Sequence, residues 1–300
     1  MLKDVNSFTR SHAMPVRKDT LWESFLKPIV LSFLDQEELR RFYQSKDWEA
    51  ESDRFCQPNL TYPEYYRSQN FHGIEGGYLN SGAAVSYDPI TQYALPPNET
   101  WIRQDAINSI GGEPRRILDL GCGTGSTTLL LEKAFPRAEI IGLDLSPYML
   151  VMAAHKAAVA GSKIHWQHGL AEATGFADAS FDLVTASLLF HETPERISRE
   201  ILREAFRLLK PNGQVLILDG NQKLLRHSDW LTNVFEEPYI KEYARGSVDA
   251  WMGAIGFEAV QTQDIWLVHQ ASRGIKPLAR TTFSTIGDAF PEAIEGFAPA

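Results

Sequence analysis

The chain has 300 residues, of which 44% are hydrophobic and 22% charged, a balance that suits a globular protein with a proper core. Its formal net charge of −9, with Arg40–Arg41 and Arg115–Arg116 as isolated basic pairs, argues against a nucleic-acid partner. Two cysteines without C-x-x-C spacing, Cys56 and Cys122, argue against a disulfide framework and a cysteine zinc site. No apolar run approaches the ~18 residues of a membrane span, and no leader pattern opens the chain, so the expectation is a cytoplasmic, soluble protein.

The first part, residues 1–95, reads as a helical cap followed by a loop-rich lid. Leu21–Tyr43 has an amphipathic helical pattern, and Asn59–Ile90 is rich in Tyr, Gly, Asn and Pro without a sustained period. From residue 96 to 270, short apolar runs alternate with helical patterns. Arg116–Leu120, Glu139–Leu143, Lys163–His168, Phe181–Ala186 and Gln214–Asp219 read as strands. Between them, Ser126–Phe135, a segment capped by Ser146 with Pro147 at its first position, and Glu195–Leu209 read as helices; Pro211-Asn212-Gly213 stops the last. This order predicts a mainly parallel sheet covered by helices. Phe257–Val260 and Trp266–Gln270 are expected to close it as an antiparallel pair. Residues 226–249 read as a substrate-side insertion and 271–300 as a C-terminal tail.

The chemistry is concentrated in Asp119-Leu120-Gly121-Cys122-Gly123-Thr124-Gly125, between the first strand and its helix. Glycines there permit a tight turn and close approach of a ligand to the backbone. Asp144 ends the second strand, where a carboxylate can accept from both hydroxyls of a ribose. The dinucleotide fingerprint G-x-G-x-x-G would need a glycine where Ser126 stands. Asp119 beside the loop would repel a pyrophosphate and attract an ammonium, so an adenosyl ligand carrying an amino acid suits the loop better.

The D-L-G-C-G-T-G run resembles the first motif of class I S-adenosylmethionine-dependent methyltransferases, most closely the ubiquinone/menaquinone-type small-molecule subgroup. Gly142–Ser146, Gly169–Glu172 with Phe176, Phe181–Val184 and Leu209–Gly213 match further segments in order. The resemblance implies a Rossmann-like α/β fold, a seven-stranded sheet with helices on both faces plus the N-terminal cap and lid. It implies S-adenosyl-L-methionine as cofactor and a small-molecule acceptor, with O- or C-methylation expected. Gly121, Cys122, Gly123 and Gly125 would line the methionine part, with Asp119 near its ammonium and Ser187 at the same end. Asp144 would hold the ribose, Leu145 would pack on adenine, and Ala171 and Glu172 would lie at the adenine edge. Tyr87 would belong to the lid. Many relatives have Asp at the position of Leu170, so here Glu172 or a backbone carbonyl is left to accept from the adenine amino group.

Two histidines are candidate general bases. His191 follows the fourth strand, and His72 lies in the glycine-rich lid segment. Tyr65, Tyr66, Trp230 and Tyr239 are candidate walls of an acceptor site. His165 and His168 lack a third ligand nearby, so no metal is expected. The competing readings are a non-catalytic cofactor-binding protein and an NAD-dependent oxidoreductase.

Overall fold

The computed structural model describes residues 35–71, 74, 76–94, 98–228, 232 and 237–278. Strands β1 (Arg116–Leu120), β2 (Glu139–Asp144), β3 (His165–His168), β4 (Phe181–Ser187), β5 (Leu209–Gly220), β6 (Glu258–Ile265) and β7 (His269–Ile275) form one sheet in the order β3-β2-β1-β4-β5-β7-β6. The first five are parallel, and β7 enters antiparallel between β5 and β6. β1 therefore has β2 on one side and β4 on the other, which opens a crevice beyond their carboxyl ends.

Helices precede and link the strands: α1 (Gln36–Gln44), α2 (Trp48–Asp53), α3 (Glu64–Arg67), α4 (Ser81–Ala94), α5 (Glu99–Asn108), α6 (Ser126–Ala134), α7 (Pro147–Ala160), α8 (Glu195–Leu208), α9 (Gln222–Arg226), α10 (Ile240–Arg245) and α11 (Val248–Ile255). Strand alternation divides their packing. Ile117 and Leu183 face Ile107 of α5 and Leu131 of α6, while Leu118 and Val184 face Ile197, Ile201, Leu202 and Ala205 of α8. The sheet is thus covered on both faces. Among the described residues no helix is long and apolar enough to cross a membrane.

Local signals set several boundaries. Ser146 accepts from the Met149 amide at the start of α7, Pro147 occupies its first turn, and Gly161 ends it in the left-handed region. In α8 the buried positions fall at three- and four-residue spacing, so the helix lies flat on the sheet. The end of the chain differs from the expectation. β5 begins at Leu209, because the Pro211–Gly213 turn is absorbed as a register shift opposite Phe181–Leu183 while the Asn212 amide donates to the Lys276 carbonyl. The closing hairpin is longer than its apolar spots suggest. β6 is largely exposed, β7 runs to Ile275, and Trp266 and Leu267 form the turn. An edge strand paired on one side carries polar residues without cost, so hydrophobicity under-reads it.

The N-terminal cap packs on α7. Trp48, Phe71, Tyr78 and Val85 share a buried cluster with Met149, Val151 and Met152. The expected helical stretch 21–34, Trp230 and residues 279–300 lie outside the described residues.

Phe181 anchors the start of β4, fully buried, edge-on to Phe176 at 5.2 Å between ring centroids and with the Arg116 guanidinium 4.7 Å above its ring. Phe181→Ala is expected to lower unfolding free energy by about 3–5 kcal/mol in denaturant titration. A loss under about 1 kcal/mol would mean that the neighbours collapse into the space.

Candidate active site

The glycine loop leaves β1 and turns through positive φ at Gly121 (62°), Gly123 (53°) and Gly125 (79°) before α6 begins. Two of these positions are also sterically closed. A Cβ on Gly121 would lie 2.8 Å from Leu189, and one on Gly125 would lie 2.6 Å from Trp166. Only glycine satisfies both the turn and the packing. The Cys122 amide donates to the Leu143 carbonyl at 3.0 Å, which ties the loop to β2.

Asp144, at the end of β2, closes that tie. Its Oδ2 accepts from the Gly123 amide at 2.7 Å and its Oδ1 from the Ser146 amide at 2.8 Å. Burial raises its pKa to about 6 against the pull of those two amides. A carboxylate has about four acceptor sites, so these bonds leave capacity for a ligand. Asp119, 1% exposed, accepts from Thr128 and Thr185, each at 2.7 Å, and burial raises its pKa too.

These groups meet at one cavity enclosing about 850 Å³ of empty space, its open mouth included. Asp119, Gly121, Cys122, Gly123, Asp144, Leu145, Ala171, Glu172, Ser187 and Tyr87 all line it. Gly125 is not on that wall; its place is against Trp166, where it shapes the turn. The N-terminal segment supplies Tyr65, Tyr66 and Tyr78. Its contacts with the core are polar and specific. Tyr65 Oη donates to Glu172 Oε1 at 2.8 Å, Tyr78 Oη donates to Glu192 Oε1 at 2.6 Å, and Ser146 Oγ donates to the Tyr78 carbonyl at 2.7 Å. Asp88 on α4 meets Lys156 Nζ at 2.5 Å and is bonded by Thr124 of the glycine loop. His168 braces the same junction by accepting from the Gln57 amide at 3.1 Å and donating to the Leu145 carbonyl at 3.0 Å. That explains its burial without a metal.

Three contributors to the site had little or no sequence signal. Arg103 of α5 reaches the cavity wall, 5% exposed, bonded to Glu99 and, at 2.5 Å, to Thr127 Oγ1. In sequence its Glu99–Arg103 spacing looks like an ordinary surface pair. Glu192 also lines the cavity. Asp219 stands at the carboxyl end of β5, a position the crevice rule could have flagged.

His191 is bound to that Asp219. Its Nδ1 lies 2.6 Å from Asp219 Oδ1 and its Nε2 3.9 Å from Glu192 Oε1, while Glu192 and Thr193, not His191, are on the cavity wall. Burial alone would push its pKa down, but Asp219, with Glu192 and Glu237 further off, raises it to about 9. Asp219 therefore favours the protonated form of the ring at neutral pH. His72 lies outside the described residues. Tyr239 stands behind the wall, donating to the Tyr65 carbonyl at 3.1 Å.

A raised folded-state pKa stabilises the protein fully below the unfolded value of ~6.5, and this contribution is lost as pH rises through about 9. Stability of the native chain should therefore fall between about pH 6.5 and 9, by on the order of 1–3 kcal/mol, and His191→Gln should flatten that slope. Parallel slopes in denaturant titrations of the two proteins would contradict the imidazolium.

A family profile described as "Methyltransferase domain" matches residues 117–213. The chain is 34% identical to a demethylmenaquinone methyltransferase of Thermus thermophilus over 40% of its own length and 53% of that protein's. It is 37% identical to a malonyl-[acyl-carrier protein] O-methyltransferase of Methylococcus capsulatus over 46% of its length and 49% of that protein's. The chain thus spans about half the length of these curated relatives. Among solved structures, a SAM-dependent methyltransferase from Aquifex aeolicus aligns with TM-score 0.51 at 16% identity, over 65% of this chain and 98% of that one. Human N-acetylserotonin methyltransferase aligns with TM-score 0.50 at 16% identity, over 67% and 58%. Residues 117–213 thus match a methyltransferase-domain profile, and the α/β core of this chain has the fold of these S-adenosylmethionine-dependent methyltransferase structures.

Proposed function

We propose that this chain is an S-adenosylmethionine-dependent methyltransferase that acts on a small molecule. The observation that carries the reading is the cavity at the crevice between β1, β2 and β4, where the glycine loop, Asp144, Asp119 and Arg103 share one wall. Bound there, the cofactor would supply an activated methyl group on a sulfonium.

The donor set fits that ligand and disfavours a dinucleotide. Asp144 would accept from the ribose hydroxyls with the lone pairs that Gly123 and Ser146 leave. Asp119 would face the ammonium, and Arg103 the carboxylate of the amino-acid end, while the exposed backbone at Gly121 and Gly123 admits the chain between them. Leu145, Ala171 and Glu172 would border the adenine, with Ser187 and Tyr87 near the methionine end. A pyrophosphate would instead meet Asp119 and Asp144 with one guanidinium already shared with Glu99. Because the methyl group is pre-activated, alignment and exclusion of water dominate. The lid tyrosines bonded to Glu172 and Glu192 serve both purposes. The two cysteines are unpaired, one of them exposed, which suits a reducing cytoplasm.

S-adenosylhomocysteine should bind in calorimetry and NAD should bind far more weakly; tight NAD binding with none for the thioether would refute the reading. The ligand should prefer ionised Asp144, whose pKa is about 6. Affinity should therefore fall as pH drops through about 6, and Asp144→Asn should lose about 10- to 100-fold and abolish that pH dependence. An unchanged affinity in the folded variant would reduce Asp144 to a brace for the loop.

A further inference from the structure

The cavity is charged in one sense. Asp119, Asp144, Glu172 and Glu192 line it, against Arg103 among the described residues, and Arg103 is turned toward Glu99 and Thr127. Asp119, Asp144 and Arg103 lie with the glycine loop and are taken up by the cofactor in the reading above. Glu172 borders the adenine in that reading, and Glu192 is left over; each accepts a hydroxyl bond from a tyrosine of the N-terminal segment. Glu192 has the His191 imidazole beside it. The His191 ring, paired with Asp219, sits 3.9 Å behind it, so the carboxylate is held in place from its far side. Tyr66, Tyr78, Leu189 and Ile201 line the same cavity.

A largely buried carboxylate that shares a cavity with aromatic rings selects cations and ammonium groups, through charge-assisted hydrogen bonds and cation–π attraction. It opposes carboxylates and phosphates, whose desolvated charge would meet a like charge. A hydroxyl would gain a neutral hydrogen bond at most.

Resting on the methyltransferase reading, we propose that the acceptor is an amine, held by Glu192 with its carbon skeleton against Tyr66, Leu189 and Ile201. An amine arriving as ammonium gives one proton to the Glu192 carboxylate. The freed nitrogen lone pair then forms the bond to the methyl carbon, while the carbon–sulfur bond breaks with its electron pair retained by sulfur. The product is an alkylated ammonium and a neutral thioether, so charge and protons balance without a further reactant. His191 and Tyr78 act as positioning groups for Glu192.

The test uses the full chain loaded with S-adenosylhomocysteine. Thermal-shift and calorimetric titrations compare primary and secondary amines of graded size with alcohols and carboxylates of matched skeleton. Saturable binding is expected among the amines, with matched alcohols at least about 10-fold weaker and carboxylates weaker still. Glu192→Gln, which keeps an acceptor for Tyr78, should erase the preference of amine over alcohol while S-adenosylhomocysteine affinity stays unchanged. Binding confined to alcohols or carboxylates, no saturable amine, or an amine preference that survives in Glu192→Gln overturns the proposal. Failure of S-adenosylhomocysteine itself to bind overturns the methyltransferase reading instead, so the two are told apart.

Discussion

The Asp144 carboxylate is the point on which the site is built. It lies where β2 ends, accepts the Gly123 amide from the loop after β1, and accepts the Ser146 amide at the cap of α7. One buried charge thereby sets the spacing of two parallel strands' loops and the direction of the helix on which the N-terminal cluster packs. A buried carboxylate persists only if its acceptor sites are filled. The same group therefore has a structural need for donors and a chemical readiness to accept more of them, with a pKa pushed up to about 6 by its burial.

The neighbouring charges follow a related logic. Each buried or half-buried cation near the cavity is neutralised by an acid from another segment or turn: Arg103 by Glu99, Lys156 by Asp88, His191 by Asp219. Such pairs contribute little net stability, because desolvation offsets most of the attraction. Their effect is geometric. Asp88 joins lid helix α4 to both the glycine loop and α7, and Asp219 fixes the turn from Phe190 to Glu192 by accepting the Phe190 amide at 2.8 Å. The N-terminal segment is thus registered on the core by polar contacts around the rim and by the Trp48–Phe71–Tyr78 cluster beneath it.

The histidine that the sequence emphasises is set by a partner distant in the chain. A histidine after the fourth strand looks like a base when only its own pKa range is considered. With Asp219 placed 2.6 Å away, the protonated ring is favoured. The carboxylate next to it in sequence then holds the wall position, because the short 3-10 turn at Phe190–Glu192 sends consecutive side chains in different directions.

Local chemistry alone made the core readable. Parallel strands buried on both faces appear as continuous apolar runs, the Ser146-Pro147 cap and the glycine loop are encoded by neighbouring residues, and Asp144 is placed by the end of its strand. The glycine spacing likewise carried the choice of an adenosyl ligand over a dinucleotide, since that choice depends on backbone geometry within a few residues. What remained hidden depends on partners distant in the chain. Arg103 meets Thr127, Tyr65 meets Glu172, Tyr78 meets Glu192, and β6 and β7 owe their length to backbone pairing that any polar sequence can make. A side chain's charge state and its side of the wall are properties of its surroundings in space. The sequence by itself therefore determined the cofactor loop and the order of the sheet, while only the tertiary structure decided which acids line the cavity and which residues stand behind them.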